Sequence, residues 1–452
     1  MLSTTPTNTL AVHSFLNISH GICTSNPSNI EYLLRTNFSN YIKGSRFHNC
    51  LHDLIGDGIF NVDSELWVTQ RKIASFEFNT RSLRSFLDQT VQHEISSRLV
   101  PLLSISCDNS ESIDLQDVFR KFAFDNICKL AFGDDPGCLE QKQPQSNDNS
   151  ISFVKAFDEA AGICFERFVS PLPLLWKTKK FLNVGSEKRL RNGVNVINNY
   201  AMKIIESRED NSTLGDRQDL LSRFMNCDEP RDTNKKRKFL RDIIISFVLA
   251  GKDSTSTALT WFFWLVSANF DCQTRIYNEL TQVPNIRSGN FSYEDLKQLH
   301  YLHAAISESL RLFPPVPINT RLTVNDDVLP DGTQVKAGWF ADYSAYAVGR
   351  NESVWGKDCN VFRPERWLDE YGVFQPLDQF RFPVFHSGPR ICLGKEMAYM
   401  QMKSIAAAVI YGFEVVAVDG GGSVEKMKKP PYVLSLVLKM KGGLPVRLKR
   451  RS

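Results

Sequence analysis

A ten-residue segment near the carboxyl end of the chain carries the strongest chemical signal in the sequence. It reads Phe-His-Ser-Gly-Pro-Arg-Ile-Cys-Leu-Gly and occupies residues 385–394. Cys392 lies in this segment between Gly388 and Gly394, and an apolar helical pattern follows within a few residues. The spacing therefore predicts a cysteine held in a tight loop at the N-terminus of a helix.

A thiol in that position has a recognisable chemistry. The helix dipole and free backbone N–H groups favour a thiolate, and a thiolate is a suitable axial ligand for haem iron. Gly388 permits the turn and Gly394 the approach of a flat macrocycle, while Arg390 meets a propionate and Phe385 shields the sulfur. The alternative is that Cys392 is an ordinary buried thiol, which the agreement of the other four positions disfavours.

The segment resembles the haem-binding loop of the cytochrome P450 superfamily, whose pattern Phe-x-x-Gly-x-Arg-x-Cys-x-Gly it matches completely. The resemblance implies a monooxygenase that contains haem b, iron protoporphyrin IX, with Cys392 as the iron ligand. It also implies electrons from NADPH through a reductase, and O2 as a substrate. The implied fold is mainly α with small β-sheets, with haem between a long central helix and the cysteine-loop helix.

Composition narrows the possible classes further. The chain has 452 residues, of which 42% are hydrophobic, and a net charge of only +4, so no nucleic-acid partner is expected. Its ten cysteines show no paired or zinc-type spacing, which favours a reducing compartment. Length alone would suggest about three domains, but the resemblance implies one, residues 1–452, lacking the N-terminal membrane anchor, proline-rich hinge and first helix of the superfamily.

Periodicity and turn residues predict the elements that must position the loop. The most apolar region, 243–266, is interrupted by Lys252 and Asp253, so it predicts a buried helix and not a membrane span. The remaining predictions are two strands in 10–25, a helix over 27–35, mostly helix over 64–135, polar loops over 138–150 and 228–241, helices over 239–270 and 293–313, and strands over 314–348 with a hairpin turn at 330–332.

Glu308 and Arg311 are neighbours on the predicted helix because they are three residues apart. Spacing alone leaves open an exposed pair, worth about 0 to 1 kcal/mol, or a buried network that needs full hydrogen bonding. The pair resembles the superfamily's Glu-x-x-Arg, and residues 362–367 (Phe-Arg-Pro-Glu-Arg-Trp) resemble its later arginine segment. The resemblance implies that Glu308, Arg311 and Arg366 form a structural triad that holds the cysteine loop.

Residues 250–255, Ala-Gly-Lys-Asp-Ser-Thr, lie inside the long apolar helix. Asp and Ser also favour an N-cap, but apolar residues on both sides favour a mid-helix position with a local groove. The segment resembles the superfamily's oxygen-activation signature, which implies that Gly251 leaves room for dioxygen, Asp253 connects to a proton supply, and Ser254 or Thr255 steadies the bound oxygen. Ser254 replaces the usual threonine and lacks the methyl group that restricts its rotamer.

Three further residues are expected to contact the haem propionates. Trp67 and Arg71 are four residues apart and share a helix face, which resembles the superfamily's Trp-x-x-x-Arg contact. Arg321 falls where many members carry another propionate-binding residue. Two buried propionates need several cationic or hydrogen-bonding partners, and Arg71, Arg390 and Arg321 would suffice.

Longer strings resemble one branch of the superfamily, the plant fatty-acid ω-hydroxylase clan that includes jasmonoyl-amino-acid hydroxylases. They occupy residues 58–63, 325–333, 343–350 and 394–399. The branch implies a fatty acid or oxylipin substrate, with a pocket lined by the segment after Gly44, 160–182, 247–255, 316–320 and the turn near Tyr432. It also implies the cytosolic face of the endoplasmic reticulum, at the membrane surface. Lys43 and Arg46 are each expected to lie on a solvated face, and the alternative is that one of them meets a carboxylate head group.

Other functions remain open on the sequence alone. A jasmonoyl-isoleucine hydroxylase or oxidase belongs to the same branch. A haem-thiolate enzyme that rearranges hydroperoxides would need no reductase, although Asp253 and Ser254 argue against it because that chemistry needs no proton relay. A truncated, non-catalytic chain that binds haem or lipid is the third alternative.

Overall fold

The computed structural model confirms the expected fold class, since helices dominate and the strands form small sheets. It describes residues 2, 5–13, 20–140, 148–170, 172–210, 219–227, 232–283, 291–418 and 430–451. The part of the predicted polar loop at 138–150 that covers 141–147 lies outside the described residues. So does the part of the predicted loop at 228–241 that covers 228–231.

The α-helices follow one another along the described chain with short connections. They are α1 Pro27–Glu31, α2 Gly44–Ile55, α3 Ser64–Ser75, α4 Thr80–Phe86, α5 Gln92–Glu94, α6 Val100–Asp108, α7 Leu115–Phe132, α8 Asp148–Val169, α9 Pro173–Leu182, α10 Gly185–Asp210, α11 Leu220–Met225, α12 Thr233–Val248, α13 Ser254–Ser267, α14 Phe270–Thr281, α15 Tyr293–Gln298, α16 His300–Leu312, α17 Ala345–Val348, α18 Glu352–Trp355 and α19 Lys395–Gly412.

The strands are short and pair mostly antiparallel. They are β1 Thr9–His13, β2 His20–Thr24, β3 Tyr41–Ile42, β4 Ile113–Asp114, β5 Asn319–Thr323, β6 Asp327–Val328, β7 Gln334–Val335, β8 Phe340–Tyr343, β9 Phe413–Ala417, β10 Tyr432–Leu434, β11 Leu438–Met440 and β12 Pro445–Arg450. The largest sheet has the order β1-β2-β8-β5-β3, in which only β2 and β8 are parallel. The others are β4-β12-β9, β10-β11 and the predicted hairpin β6-β7.

A long central helix crosses the core and consists of α12, a π-helical turn at Leu249–Asp253, and α13. Every residue of α13 from Thr255 to Val266 is buried, because its surface is apolar on all sides and it packs among α7, α16 and α19. The mid-helix position expected for residues 250–255 is therefore confirmed. A π-turn inside an α-helix is frequently found at a functional site.

Sequence predictions of element boundaries were wrong in four places. The helix α8 already begins at Asp148, inside the predicted polar loop at 138–150, and α17 occupies 345–348, where strands were predicted. Residues 233–241 are not a polar loop, because α12 begins at Thr233 and Asp232 caps it by accepting a 2.8 Å hydrogen bond from the Lys235 N–H. The basic residues near its start occupy the solvated side of the first turns, so their polarity resembled that of a loop. The predicted helix over 293–313 is interrupted at Leu299, which separates α15 from α16.

The remaining structural expectations concern cysteines and membrane spans. All ten cysteines are free thiols, as the scattered spacing predicted. Among the described helices, none combines the length and the hydropathy that crossing a bilayer requires.

Candidate active site

The cysteine loop is closed by its own backbone. The Cys392 N–H donates a 2.8 Å hydrogen bond to the carbonyl of Phe385, after a 3-10 turn at Gly388–Arg390. Gly388 has a φ of +64°, and a Cβ there would lie 2.0 Å from the carbonyl oxygen of Leu34. Only glycine satisfies both constraints, so the loop requires this residue. The helix α19 then begins at Lys395.

The environment of the Cys392 thiol differs from the expectation of a lowered pKa. Burial raises the pKa of the thiol, although the Gly394 N–H and the Arg71 guanidinium act in the opposite direction. The Cys392 side chain is nevertheless accessible to solvent. A thiol that lines an internal cavity is expected to be both shielded from bulk water and accessible to a small molecule inside the cavity. A bound cation next to the sulfur would act with the Gly394 N–H and Arg71 and lower the pKa of the thiol.

Arg71, Arg390 and Trp67 lie together beside this loop. Arg71 donates a 2.7 Å hydrogen bond to the carbonyl of Ile391, directly before the cysteine. The Arg390 guanidinium lies 4.4 Å from the centre of the Trp67 ring and donates a 2.8 Å bond to Asp63. Burial and the neighbouring Arg321 lower the pKa of Arg390 to about 9. The structure thus brings the expected propionate contacts into one cationic cluster.

Arg321 completes the cluster. Its nearly complete burial could not be predicted from the sequence. Its side chain is 1% exposed, and its Nε and Nη2 atoms have no hydrogen-bond partner in the structure. Burial lowers its pKa. Unpartnered buried guanidinium nitrogens are costly, so this position favours an anionic ligand.

Lys43 and His386 belong to the same cluster although their types and spacing gave no signal of it. Lys43 is 6% exposed and its Nζ lies 3.9 Å from the centre of the Phe47 ring, so the expectation of a solvated face was wrong for this residue. The ammonium group lies over the aromatic ring, and this cation–π contact favours the inward position of the charge. Burial, followed by the nearby arginines, keeps the pKa of both Lys43 and His386 well below their ordinary values.

The π-turn of the central helix holds the oxygen-activation candidates. A Cβ on Gly251 would lie 2.6 Å from the Ile127 side chain on α7, so this glycine permits close packing of two helices. The expectation that Gly251 also leaves room for dioxygen stays a prediction. The Ser254 hydroxyl donates a 2.5 Å hydrogen bond to the Ala250 carbonyl, and Thr255 is buried.

Asp253 is buried and paired with the preceding residue, Lys252. Lys252 also donates a 2.8 Å hydrogen bond to Asp158 on α8, which contacts Arg120 at 2.7 Å and Lys439 at 3.1 Å. Burial opposes a charge on Lys252, but Asp253 and Asp158 outweigh it and raise its pKa. The chain of charges leads from Asp253 to side chains that are partly exposed.

Glu308 and Arg311 form a fully buried ion pair with two hydrogen bonds of 2.7 and 2.8 Å. The Arg366 Nε lies 3.3 Å from the same carboxylate. Two donors that sequence reasoning did not assign complete it, namely the Trp367 indole at 2.9 Å and the Arg363 backbone N–H at 3.0 Å. Full hydrogen bonding is what allows a carboxylate to remain buried.

This cluster reaches the cysteine loop through aromatic contacts. The Trp367 ring lies 4.8 Å from that of Phe382, edge to face, directly before the loop begins. On the other side, Ser307 of α16 bonds to Tyr399 of α19 at 3.0 Å, and Tyr399 packs on Phe385 at 5.2 Å. The loop is therefore supported from both ends by α16.

Haem fits the residues that surround this site. Its two propionates would neutralise the mutually repelling Arg321, Arg390 and Lys43, and Cys392 would supply the sulfur ligand to its iron. The fold and the site define a haem-thiolate protein.

Comparison with known sequences agrees with this assignment. Residues 19–444 match the family model described as Cytochrome P450, so the chain belongs to the cytochrome P450 family. It is similar to cytochrome P450 CYP94D108 of Paris polyphylla, with 45% identity over 460 residues, 100% of this chain and 87% of the relative.

Two other relatives identify the same branch. Cytochrome P450 94A2 of Vicia sativa is 42% identical over 462 residues, covering 100% of this chain and 86% of its own. Cytochrome P450 94C1 of Arabidopsis thaliana is 44% identical over 455 residues, covering 100% and 88% respectively. The chain is therefore a P450 monooxygenase of the CYP94 branch, and membership of the family implies haem iron, O2 and a redox partner.

Proposed function

We propose that this chain hydroxylates a fatty acid or a related oxylipin at or near its terminal carbon. One atom of O2 enters a C–H bond to give an alcohol. The other atom leaves as water with two electrons and two protons, and NADPH supplies the electrons through a reductase. Bound haem iron supplies the activation of O2 at this site.

The observation that carries the proposal is that the Arg46 guanidinium lies beside a group of phenylalanine rings. Arg46, on α2, lies 4.4 Å from the centre of the Phe340 ring and 5.9 Å from that of Phe168, and its side chain is 30% exposed. Phe47 packs on Phe168 at 5.6 Å. A fatty acid has the same two parts, a carboxylate for the guanidinium and an acyl chain for the phenyl rings.

Arg46 already has a carboxylate partner, Asp342. The Arg46 Nη1 lies 3.7 Å from the Asp342 Oδ1. Burial raises the pKa of Asp342 to about 6, against the opposing effect of Arg46. A carboxylic acid with that pKa is readily protonated beside a second anion, so a substrate carboxylate competes well for Arg46.

Within the site, Arg71, Arg321, Arg390 and Lys43 would hold the propionates of bound haem. Asp253 delivers protons that Lys252 and Asp158 relay from the partly exposed end of the charge chain. Ser254 orients a hydroxyl at the π-turn. Gly251 would leave room for dioxygen beside this turn, and the absence of a side chain also lets Ile127 pack closely against it.

A membrane surface is the proposed location, on the cytosolic face of the endoplasmic reticulum. The helix α9 exposes Leu174, Leu175 and Phe181, the last with 89% exposure, next to Lys177 and Lys179. Apolar side chains beside lysines suit an anionic lipid surface. Co-flotation with phosphatidylserine vesicles tests this, and Phe181→Ser is expected to weaken it; equal flotation of the two proteins would contradict it.

The test of substrate uses the haem-loaded chain with a reductase and NADPH. Saturated fatty acids of increasing length and a jasmonoyl-isoleucine conjugate are compared, and products are located along the chain by mass spectrometry. Terminal or near-terminal hydroxy acids support the proposal. Turnover of the jasmonoyl conjugate alone would replace it with the second function of the branch, and haem retention without any product would replace it with a non-catalytic role.

The head-group contact is tested separately. Arg46→Gln is expected to raise KM for a fatty acid about ten-fold with kcat changed little, because the interaction is made equally in the bound and reacting states. The methyl ester should show no such difference between the two proteins, and Arg84→Gln, an exposed arginine on α4, serves as the matched control. An equal loss for acid and ester would overturn the assignment of Arg46. Loss of the red-shifted carbon monoxide Soret band in Cys392→Ala checks the iron ligand.

A further inference from the structure

Two histidines and an aspartate converge on the outer side of α2, away from the cysteine loop. His48 and His52 are four residues apart on this helix, so they share one face, and their rings stack with centres 4.6 Å apart. Asp57 follows in the turn after the helix, and its Oδ1 lies 3.2 Å from His48 Nε2 and 3.6 Å from His52 Nδ1. Among the described residues, this is the group of His, Cys, Asp and Glu atoms with the geometry of a metal site.

The separations match those of ligands around a small cation. Zinc binds histidine nitrogen and carboxylate oxygen at about 2.0 to 2.2 Å with tetrahedral angles, which places neighbouring ligand atoms about 3.3 to 3.5 Å apart. The two contacts of Asp57 lie on either side of that range, and all three ligand atoms lie within 4.8 Å of one another. Only small rotations of the side chains are needed to bring them onto one ion.

The backbone of Asp57 is held in place independently of its carboxylate. Its N–H donates a 2.9 Å hydrogen bond to Asp242 of α12, and its carbonyl accepts a 2.8 Å bond from Gln70 of α3. A Cβ on Gly56 would lie 2.2 Å from the Asp242 carboxylate, and one on Gly58 would lie 1.9 Å from the Ser246 hydroxyl. The turn is therefore packed tightly against the central helix, which pre-organises the third ligand.

The present contacts of His52 and Asp57 leave atoms free to bind a metal ion. His52 Nδ1 is buried yet has no hydrogen-bond partner in the structure. Lys238 approaches only the other carboxylate oxygen, with 3.8 Å to Asp57 Oδ2, and is itself 62% exposed. The side chains of His48, His52 and Asp57 are 37 to 42% exposed, so an ion and a water molecule reach them from solvent.

We propose that His48, His52 and Asp57 bind one zinc ion, with water as the fourth ligand. The ion takes the place of a proton between His48 Nε2 and Asp57, and the neutral imidazole then carries its one proton on Nδ1. The bound ion ties two turns of α2 to the turn at residues 56–58, and through that turn to α12. Binding therefore stabilises the helix that also carries Arg46.

The test measures zinc binding to the purified holoprotein by competition with a chromophoric chelator, at a slightly alkaline pH that keeps imidazole neutral. One site is expected in the natural sequence. His48→Ala, His52→Ala and Asp57→Asn are each expected to weaken binding at least about ten-fold, the lower end of what losing even an outer-shell partner costs. Asp57→Asn keeps the backbone contacts of the turn, so it separates ligation from folding.

His93→Ala is the matched control, since His93 is an exposed histidine on another helix, bonded to Ser97. All variants keep the same free cysteines, so any zinc bound by thiols cancels in the comparison. Zinc should also slow amide exchange in residues 44–58 of the natural sequence and not of His48→Ala/His52→Ala. Equal zinc affinity in that double variant and the natural sequence would overturn the proposal, as would unchanged binding in Asp57→Asn.

Discussion

The indole nitrogen of Trp367 donates a 2.9 Å hydrogen bond to the buried carboxylate of Glu308, 59 residues away along the chain. This bond joins the α16 ion pair to the segment that leads into the cysteine loop, because the Trp367 ring also packs on Phe382. The ion pair on α16 therefore helps to support the cysteine loop.

Trp367→Phe keeps an aromatic ring but removes this donor, so one oxygen of Glu308 loses a partner. We expect a loss of about 1.5 to 3 kcal/mol in unfolding free energy and a lower fraction of haem-loaded protein. Chemical denaturation and the carbon monoxide difference spectrum measure the two effects. The matched control is Trp355→Phe, because the Trp355 indole nitrogen has no hydrogen-bond partner. Equal losses in the two variants would show that the bond to Glu308 is not what matters.

Arg321→Gln is expected to have opposite effects on the two forms of the protein. Without haem, the buried charge of Arg321 is poorly paired and costs free energy, so its removal should stabilise the apoprotein. With haem, the same change removes a propionate partner, and we expect haem to dissociate at least about ten-fold faster. Unfolding of the apoprotein and haem transfer to apomyoglobin measure these. Destabilisation of both forms would contradict a propionate role, and Arg84→Gln should change neither.

Ser254→Thr is expected to raise the fraction of NADPH electrons that appear in hydroxylated product, because the added methyl group restricts the rotamer of the hydroxyl. Ser254→Ala should divert more of them to hydrogen peroxide. The ratio of product and peroxide to NADPH consumed measures both changes. Ser256→Ala is the control, since its hydroxyl likewise bonds to the carbonyl four residues earlier, at 2.7 Å. A similar rise in peroxide in Ser256→Ala would argue against a specific role for Ser254.

Asp158→Asn should make stability depend less on pH in acid. Burial opposes the charge of Asp158, but Lys252, Lys439 and Arg120 hold its pKa well below the ordinary value. A depressed pKa contributes stability that is present above about pH 4, the unfolded value, and is lost as pH falls through the folded value. We expect a loss of about 1 to 3 kcal/mol near neutral pH, since Lys252 keeps Asp253 as a partner.

That difference between Asp158→Asn and the natural sequence should shrink as the pH falls below about 4, as followed by denaturant unfolding at several pH values. Glu159→Gln on the same helix is the control, because its pair with Arg189 is exposed and worth about 0 to 1 kcal/mol. A constant difference at all pH values would mean that packing, and not charge, explains the loss. Asp158→Asn should also slow product formation, since it interrupts the proposed proton relay.

Contiguous motifs were the part of the site that the sequence determined. The residues around Cys392 lie within one loop, and Glu308 and Arg311 within two turns of one helix, so their patterns are visible in the sequence. The same holds for Trp67 and Arg71. The contacts of the loop to Leu34 and of the ion pair to Trp367 are long-range and are not visible there. Elements with strong apolar periodicity, such as α13 and α19, were predicted well because burial of their apolar faces is what forms them.

Only the tertiary structure decided which charges are buried and what each one faces. Lys252 and Asp158 are 94 residues apart, and Lys43 is far in sequence from Arg321, so no local pattern records these pairs. The close approach of Gly251 to Ile127 was not predicted for the same reason, because the two residues lie on different helices. A side chain's charge and its periodicity are properties of the sequence. The desolvation and partners that determine its chemistry arise only when distant elements pack together.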